Sequence, residues 1–143
     1  MNKKVKSAIG WILYLALLAG LILGVPRGLA YFLETDYPMA TITSGSMWPA
    51  LKKGDLVLIK GIENKNEISL GDIIVYKNPE GFTIHRVIEF NEDTLITKGD
   101  ANNADDAPVS YEEIIGKALT MNNNPVRIPF LGSLGLLINK VKI

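Results

Sequence analysis

Three segments of the sequence carry residue types that hydrolytic chemistry uses: a pair of serines, the single histidine and a cluster of acids. They are 43–55 (TSGSMWPALKKGD), 71–88 (GDIIVYKNPEGFTIHRVI) and 98–106 (KGDANNADD). A serine hydroxyl is a weak nucleophile and needs a base, and an imidazole with its ordinary pKa near ~6.5 can act at neutral pH. Taken separately, each segment also has a structural explanation. Ser44-Gly45-Ser46 could form a turn, His85 could be a structural residue of a strand, and the acids could be a solvated loop.

The composition limits which other sites are available. With no Cys and one His, the chain has no disulfide framework, thiolate zinc site, cysteine nucleophile or pair of imidazoles. The acidic loop begins like a calcium-binding EF-hand loop at Asp100, but Ala104, Asp105 and Tyr111 occupy positions where that loop needs a ligand, a glycine and a glutamate. We therefore expect no metal and no cofactor.

The charge distribution disfavours nucleic acid as a partner. The net charge is zero, but four cations precede the first acid, Glu34, and residues 34–143 carry 11 basic and 15 acidic side chains. A mildly acidic domain is poorly suited to neutralising phosphates.

The N-terminal region predicts a membrane anchor. Residues 8–25 contain no charge and approach the ~20 residues that a helix needs to cross a bilayer. Pro26-Arg27-Gly28 interrupts the run before the apolar 29–33, so the span could stop near Val25 or continue, kinked, to Leu33. A cleavable signal peptide is the rival interpretation, but the apolar run is too long and no small-x-small site closes it.

Charge asymmetry predicts the orientation of this anchor. Three lysines precede it and only Arg27 follows closely, which favours a cytoplasmic N-terminus. We expect a single-pass protein of the cell membrane, with 1–7 cytoplasmic, 8–33 as the anchor (core 8–25) and 34–127 as an extracytoplasmic β-rich domain.

Beyond the anchor, the pattern is typical of a mainly β fold: a compact antiparallel barrel or sandwich. Short runs rich in β-branched residues alternate with turn sequences. The predicted strands are 39–43, 55–60, 72–77, 83–90 and 94–98, with a polar connection at 61–68 and one short helix near Tyr111–Ile115. The last segment, 128–143, is too short in its apolar part to span a bilayer, so it either packs on the barrel or rests at the membrane interface.

In order and wording, these segments resemble type I signal peptidases of peptidase family S26. More narrowly, they are similar to the endoplasmic-reticulum-type branch of eukaryotes, archaea and some Gram-positive bacteria. Five features occur in the family's order: the anchor, S-G-S-M-x-P, G-D before a hydrophobic strand, H-R-V-I, and K-G-D followed by D-D.

The resemblance implies a membrane-bound serine endopeptidase that removes signal peptides from exported preproteins. It assigns Ser46 as the nucleophile and His85 as the general base, in a place where the bacterial branch has a lysine. Asp106 corresponds to the acid that orients the histidine, and Asp100 to a further important acid. Ser44, with the backbone N–H of Ser46, corresponds to the oxyanion-binding groups.

The expected partners are signal peptides, membrane lipid and the secretion translocase. Met47 and Trp48, which follow the nucleophile, could face lipid or the bound peptide, or could pack into the barrel.

Two other functions are compatible with parts of this pattern. A self-processing serine peptidase of the repressor type would use lysine as its base and would be soluble, so His85 and the anchor disfavour it. A membrane-tethered β-barrel could also bind a partner without catalysis.

Overall fold

The N-terminal helix is the longest element of the computed structural model, which describes residues 2–134. Helix α1 comprises Lys3–Phe32, and the Asn2 side chain accepts from the Lys4 N–H at its start. At 30 residues the helix is about 45 Å long, more than the ~30 Å hydrocarbon core of a bilayer. It is apolar enough to cross a membrane and buries none of its apolar window against the protein, so it is a candidate membrane anchor.

Pro26 lies inside α1, and the helix continues past it to Phe32. The helix thus extends beyond Val25, the earlier of the two ends that the sequence left open for the membrane span. A proline removes one hydrogen bond from a helix, but its fixed φ is compatible with helical backbone. The helix ends where Leu33 caps it through a 2.8 Å bond to the Leu29 carbonyl.

Ten short strands follow α1 within the described residues. They are β1 (Met39–Thr41), β2 (Leu56–Lys60), β3 (Ile73–Asn78), β4 (Gly81–Phe90), β5 (Thr94–Lys98), β6 (Val109–Ser110), β7 (Ile114–Ala118), β8 (Thr120–Met121), β9 (Asn124–Pro125) and β10 (Arg127–Ile128). All pairings are antiparallel, in the order β1-β2-β7-β3-β4-β5-β6, with β10 also on β2 and with β8 and β9 as a separate hairpin.

Strand β3 forms the centre of the domain because it is buried on both faces. Its side chains alternate between two hydrophobic clusters, as the period of two in a strand requires. Ile73 and Val75 face one cluster, and Ile74 and Tyr76 face the other. This two-sided burial explains why the strand is a continuous apolar run in the sequence.

The prediction of a mainly antiparallel β domain behind one apolar helix is confirmed, and each of the five predicted strands is present within one or two residues of its expected bounds. The predicted short helix near Tyr111–Ile115 is present only in part, over its first three residues and as a 3₁₀ helix. A 3₁₀ turn at Tyr111–Glu113 is closed by a capping box between Ser110 and Glu113, and β7 begins at Ile114, where two β-branched residues favour extended backbone.

The polar connection at 61–68 contains a 3₁₀ turn, Lys65–Glu67. The end of α1 contacts the beginning of this connection, because the Gly61 N–H donates a 2.7 Å bond to the Leu33 carbonyl. Helix α1 and the β domain are therefore joined by a hydrogen bond as well as by the chain.

The apolar C-terminal segment predicted at 128–143 lies partly outside the described residues, which end at 134. Within them, Phe130 and Leu134 are exposed, whereas Gly132 is buried against the backbone of Asp55.

Candidate active site

Strand register brings three polar side chains to one face of the sheet. His85 of β4 lies opposite Ile74 of β3, and Tyr76 is two positions beyond Ile74. Val87, two positions beyond His85, lies opposite Thr97 of β5. Because residues two apart in a strand share a face, Tyr76, His85 and Thr97 come from three adjacent strands to one location.

Ser46 lies in the turn that connects β1 to β2. The residues after it fix this turn to the core, since Met47 and Leu51 are among the most deeply buried side chains. The Leu51 N–H donates to the Met47 carbonyl at 2.9 Å and the Trp48 N–H donates to the Gly45 carbonyl at 3.1 Å. Met47 therefore packs into the β domain, which was one of the two alternatives for this residue, whereas Trp48 is 54% exposed.

The acidic loop after β5 contacts both of these regions. At one point the Ala101 N–H donates a 2.8 Å bond to the carbonyl of Ser46. At its end the Asp106 N–H donates a 2.8 Å bond to the carbonyl of Thr97, which returns the Asp106 side chain to the face that holds His85.

These contacts place Ser46, His85 and Asp106 in one hydrogen-bonded row. His85 Nε2 is 3.1 Å from Ser46 Oγ, and Nδ1 is 2.5 Å from Asp106 Oδ2. His85 is buried, with 11% of its side chain exposed. Because an ionised carboxylate only accepts hydrogen bonds, Nδ1 carries the imidazole proton and Nε2 is left to accept from the Ser46 hydroxyl.

Asp106 Oδ2 also accepts from two hydroxyl groups that the sequence did not predict. Thr97 Oγ1 donates at 2.6 Å and the Tyr76 hydroxyl donates at 3.3 Å. Burial raises the pKa of Tyr76 above its ordinary value; the hydrogen bond with Thr97 partly offsets this shift, and the nearby Asp106 charge adds to it. The phenol therefore keeps its proton, and remains a donor, at neutral pH.

Ser44 lies next to Ser46 at the solvent side of the row. The two hydroxyl oxygens are 3.1 Å apart, and the Ser46 N–H points to Ser44 Oγ at 3.4 Å. The second contact is long for a hydrogen bond, so the Ser46 N–H is only weakly engaged.

Asp100 occupies a different position from the other predicted residues. Its two carboxylate oxygens accept from Nε and Nη2 of Arg86, both at 2.7 Å, while Nη1 donates to the Gly71 carbonyl. The hydrogen bonds that Arg86 donates to Asp100 raise the pKa of the Arg86 guanidinium above its usual value. In the part of the chain that the structure describes, Asp100 makes no hydrogen bond to Ser46, His85 or Asp106.

An open cleft of about 600 Å³ leads to the row. One wall is the stretch from Met39 to Ser44, and the other is residues 82–85. The rings of Tyr37 and Phe82, which also line the cleft, have their centroids 5.2 Å apart. Residues 2–134 include no group of three or more His, Asp or Glu side chains placed to hold a metal ion.

Tyr76 and Thr97 are the site residues that the sequence interpretation missed. The available signals were weak: Thr97 directly precedes K-G-D, and Tyr76 shares the face of Ile74 in a strand that otherwise reads as apolar core. Neither position could be connected to Asp106 before the register of three strands was known.

A family model supports a protease domain in this region. The model for Peptidase S24-like proteins matches residues 26–119, which include Ser46, His85 and Asp106. Strands β1 to β7 and the residues that line the cleft thus lie in a region that matches a peptidase family.

Curated relatives narrow the class. The signal peptidase complex catalytic subunit SEC11 of Metarhizium robertsii is 30% identical, over 80% of this chain and 71% of its own length. The corresponding subunit of Sclerotinia sclerotiorum is 29% identical over 94% and 83%, and that of Lachancea thermotolerans is 35% identical over 58% and 53%. The chain belongs to the type I signal peptidases, in their endoplasmic-reticulum-type branch.

Proposed function

We propose that this protein is a membrane-bound serine endopeptidase that cleaves N-terminal signal peptides from exported preproteins through Ser46, His85 and Asp106. The observation that carries the proposal is the position of the His85 ring, with Nε2 3.1 Å from Ser46 Oγ and Nδ1 2.5 Å from Asp106 Oδ2. A base within hydrogen-bond reach of a hydroxyl, itself oriented by a third group, is the geometry that activates a serine nucleophile.

In the proposed reaction, Ser46 Oγ attacks the carbonyl carbon of the scissile peptide bond while its proton passes to His85 Nε2. The imidazolium, stabilised by Asp106, then donates that proton to the departing amine nitrogen as the C–N bond breaks. Water attacks the resulting ester with Nε2 again as the base, which releases the new carboxylate and restores the Ser46 hydroxyl.

The tetrahedral intermediate of this reaction needs donors for its oxyanion. Ser44 and the Ser46 N–H lie beside the nucleophile and can supply two. Because the Ser46 N–H is weakly engaged, little hydrogen bonding is lost when it turns to the oxyanion. Loss of one such donor costs on the order of 10²–10³ in rate in a well-formed oxyanion hole.

The cleft suits an extended peptide with small side chains near the scissile bond. Within residues 2–134, β1 pairs with β2 alone, and residues 81–85 of β4 pair with β3 but not with β5. Both walls of the cleft therefore have one strand edge without a ladder partner, and such an edge can take an added strand through backbone hydrogen bonds.

The anchor would keep this cleft near the membrane surface, where signal peptides have their cleavage region. We propose that 8–33 crosses the cell membrane once, with 1–7 in the cytoplasm and 34–127 outside it, so that lipid and the secretion translocase are further partners. The basic residues before the span support this orientation. The hydrogen bond between Gly61 and Leu33 supports a fixed distance between the anchor and the domain.

The test is cleavage of a preprotein in membranes that contain Ser46→Ala, His85→Ala or the unaltered chain. We expect both variants to lose cleavage while α1 still inserts. Ser69→Ala, which changes an exposed serine in the connection before β3, is the matched control and should retain full activity. Undiminished cleavage by either active-site variant, or failure of a serine-reactive probe to label Ser46, would instead favour a tethered binding module.

A further inference from the structure

We propose that Thr97 and Tyr76 are positioning residues that hold the Asp106 carboxylate against His85. This inference rests on the function proposed above and concerns how the acid of the row is kept in place. Neither hydroxyl touches Ser46 or the cleft, so both would act on the reaction through Asp106 alone.

Asp106 needs such support because of where it lies. It belongs to the loop after β5, not to a strand, and 21% of its side chain is exposed. A carboxylate at that position can rotate about its side-chain torsions towards solvent, and each wrong rotamer breaks the bond to Nδ1 of His85. The neighbouring Asp105 is more exposed and pairs with Lys98 at 3.0 Å, so this cation does not hold Asp106.

Thr97 binds Asp106 at two points. Its carbonyl accepts from the Asp106 N–H at 2.8 Å, which fixes the backbone, and its Oγ1 donates to Asp106 Oδ2 at 2.6 Å, which fixes the side chain. Thr97 is itself fully buried in β5. A residue of a buried strand therefore holds both the backbone and the side chain of Asp106.

Tyr76 reaches Asp106 from β3, which lies on the other side of β4 from the strand that carries Thr97. Its hydroxyl is 3.3 Å from Asp106 Oδ2 and 3.4 Å from Thr97 Oγ1, and its ring is buried in the cluster with Ile74 and Val87. Three donors, from β4, β5 and β3, thus converge on one oxygen. Because hydrogen bonds to a charged group weaken as they lengthen, the 2.6 Å bond from Thr97 should matter more than the 3.3 Å bond from Tyr76.

The experiment measures kcat and KM of the full-length chain, in detergent, on a peptide with an Ala-x-Ala cleavage site. Thr97→Val keeps the shape of the side chain and removes the hydroxyl, and we expect kcat to fall about tenfold with KM unchanged. Thr97→Ser keeps the hydroxyl and should restore kcat to near the unaltered value. Tyr76→Phe, which removes one oxygen and keeps the ring, should lower kcat about threefold.

Matched controls separate positioning from general stability. Thr94→Val makes the same change on the same strand, and Tyr111→Phe makes the same change at a half-buried tyrosine packed on the same cluster. Both should leave kcat unaltered. If Thr97→Val fails to fold, the comparison of Tyr76→Phe with Tyr111→Phe still tests the proposal.

A double-mutant comparison shows whether the hydroxyls act through Asp106. If they do, adding Thr97→Val to Asp106→Ala causes no further loss of kcat, because the group that it positions is already absent. A further tenfold loss in the double variant would overturn the proposal, as would an unaltered kcat in both Thr97→Val and Tyr76→Phe.

These outcomes are distinct from failure of the proposed function. If Ser46→Ala abolishes cleavage while Thr97→Val and Tyr76→Phe cleave normally, the positioning proposal alone is wrong. If Ser46→Ala cleaves normally, the enzymatic assignment is wrong and the positioning proposal with it.

Discussion

The backbone carbonyl of Ser46 accepts a 2.8 Å hydrogen bond from the N–H of Ala101. The turn with the hydroxyl is thereby joined directly to the loop that ends in Asp106, although the two are distant in sequence. A displacement of the acidic loop consequently moves both Ser46 and Asp106 relative to His85, which is held between them on β4.

Gly99→Ala tests whether catalysis depends on this contact between the acidic loop and the Ser46 backbone. A Cβ at Gly99 would lie 2.7 Å from Asn102 Nδ2 and 2.8 Å from the Ser46 carbonyl oxygen, closer than real Cβ contacts, so the loop must move away from Ser46. We expect kcat for peptide cleavage to fall by about tenfold or more, since small misplacements are costly in catalysis. Gly28→Ala, in α1 with nothing within 4 Å of the added carbon, is the control. Equal kcat in the two variants would show that catalysis does not depend on the contact between the acidic loop and the Ser46 backbone.

The two acids of the loop should differ in their effect on turnover. Asp106→Asn replaces the acceptor beside Nδ1 with an amide and disfavours the productive tautomer of His85, so kcat should fall on the order of 10³–10⁴. Asp100→Asn removes the charge from a partly exposed pair with Arg86, which should lower stability by about 1 kcal/mol and kcat much less. Steady-state kinetics and thermal unfolding of both variants make the comparison. Equal losses of kcat would contradict the assignment of the orienting role to Asp106.

Ser44→Ala addresses the oxyanion. The Ser44 hydroxyl is 3.1 Å from Ser46 Oγ and exposed to the cleft. If it donates to the oxyanion, its removal should lower kcat on the order of 10² with little change in KM, because the bond is made only in the transition state. The exposed Ser69→Ala serves as the control. A rise in KM with unaltered kcat would assign Ser44 to substrate binding instead.

The raised pKa of Tyr76 predicts a dependence of stability on alkaline pH. Burial disfavours the phenolate in the folded state, so the folded protein holds this proton more tightly than the unfolded chain. The contribution is fully present below the ordinary pKa of 10.0 and is lost as the pH rises through the folded-state value. Above pH 10, the midpoint temperature of thermal unfolding should therefore fall less steeply with rising pH in Tyr76→Phe than in the unaltered chain. Parallel curves would show that Tyr76 does not cause the effect.

Gly61→Ala tests the contact between the end of helix α1 and the β domain. An added Cβ would collide with the Glu34 carbonyl oxygen, so the bond from Gly61 to the Leu33 carbonyl would be lost, at about 1–3 kcal/mol. We expect cleavage of a membrane-embedded preprotein to fall more than cleavage of a short soluble peptide, because only the first depends on the distance between cleft and bilayer. The ratio of the two rates is the measurement. An unaltered ratio would mean that the hydrogen bond between Gly61 and Leu33 does not set the distance between the cleft and the bilayer.

Much of the fold could be predicted because local patterns dictate it. The apolar run after Lys6 determines a helix long enough to span a bilayer, and the β-branched runs between turn residues determine β1 to β5. The short helix predicted at 111–115 is limited to one 3₁₀ turn, because the Ser110–Glu113 capping box closes that turn and the extended preference of Ile114 and Ile115 then prevails. The strands β8, β9 and β10 have two residues each, too few for a period to be visible.

The sequence by itself determined the family, the apolar N-terminal helix, the β class and the candidate chemistry, since each depends on residue types in a fixed order along the chain. Only the tertiary structure decided which groups meet. Tyr76, His85 and Thr97 share a face because of the pairing of three strands, and Asp106 rather than Asp100 reaches the imidazole because Arg86 binds the other acid. Register and loop closure are long-range properties that arise from packing around β3, and no local pattern of residues contains them.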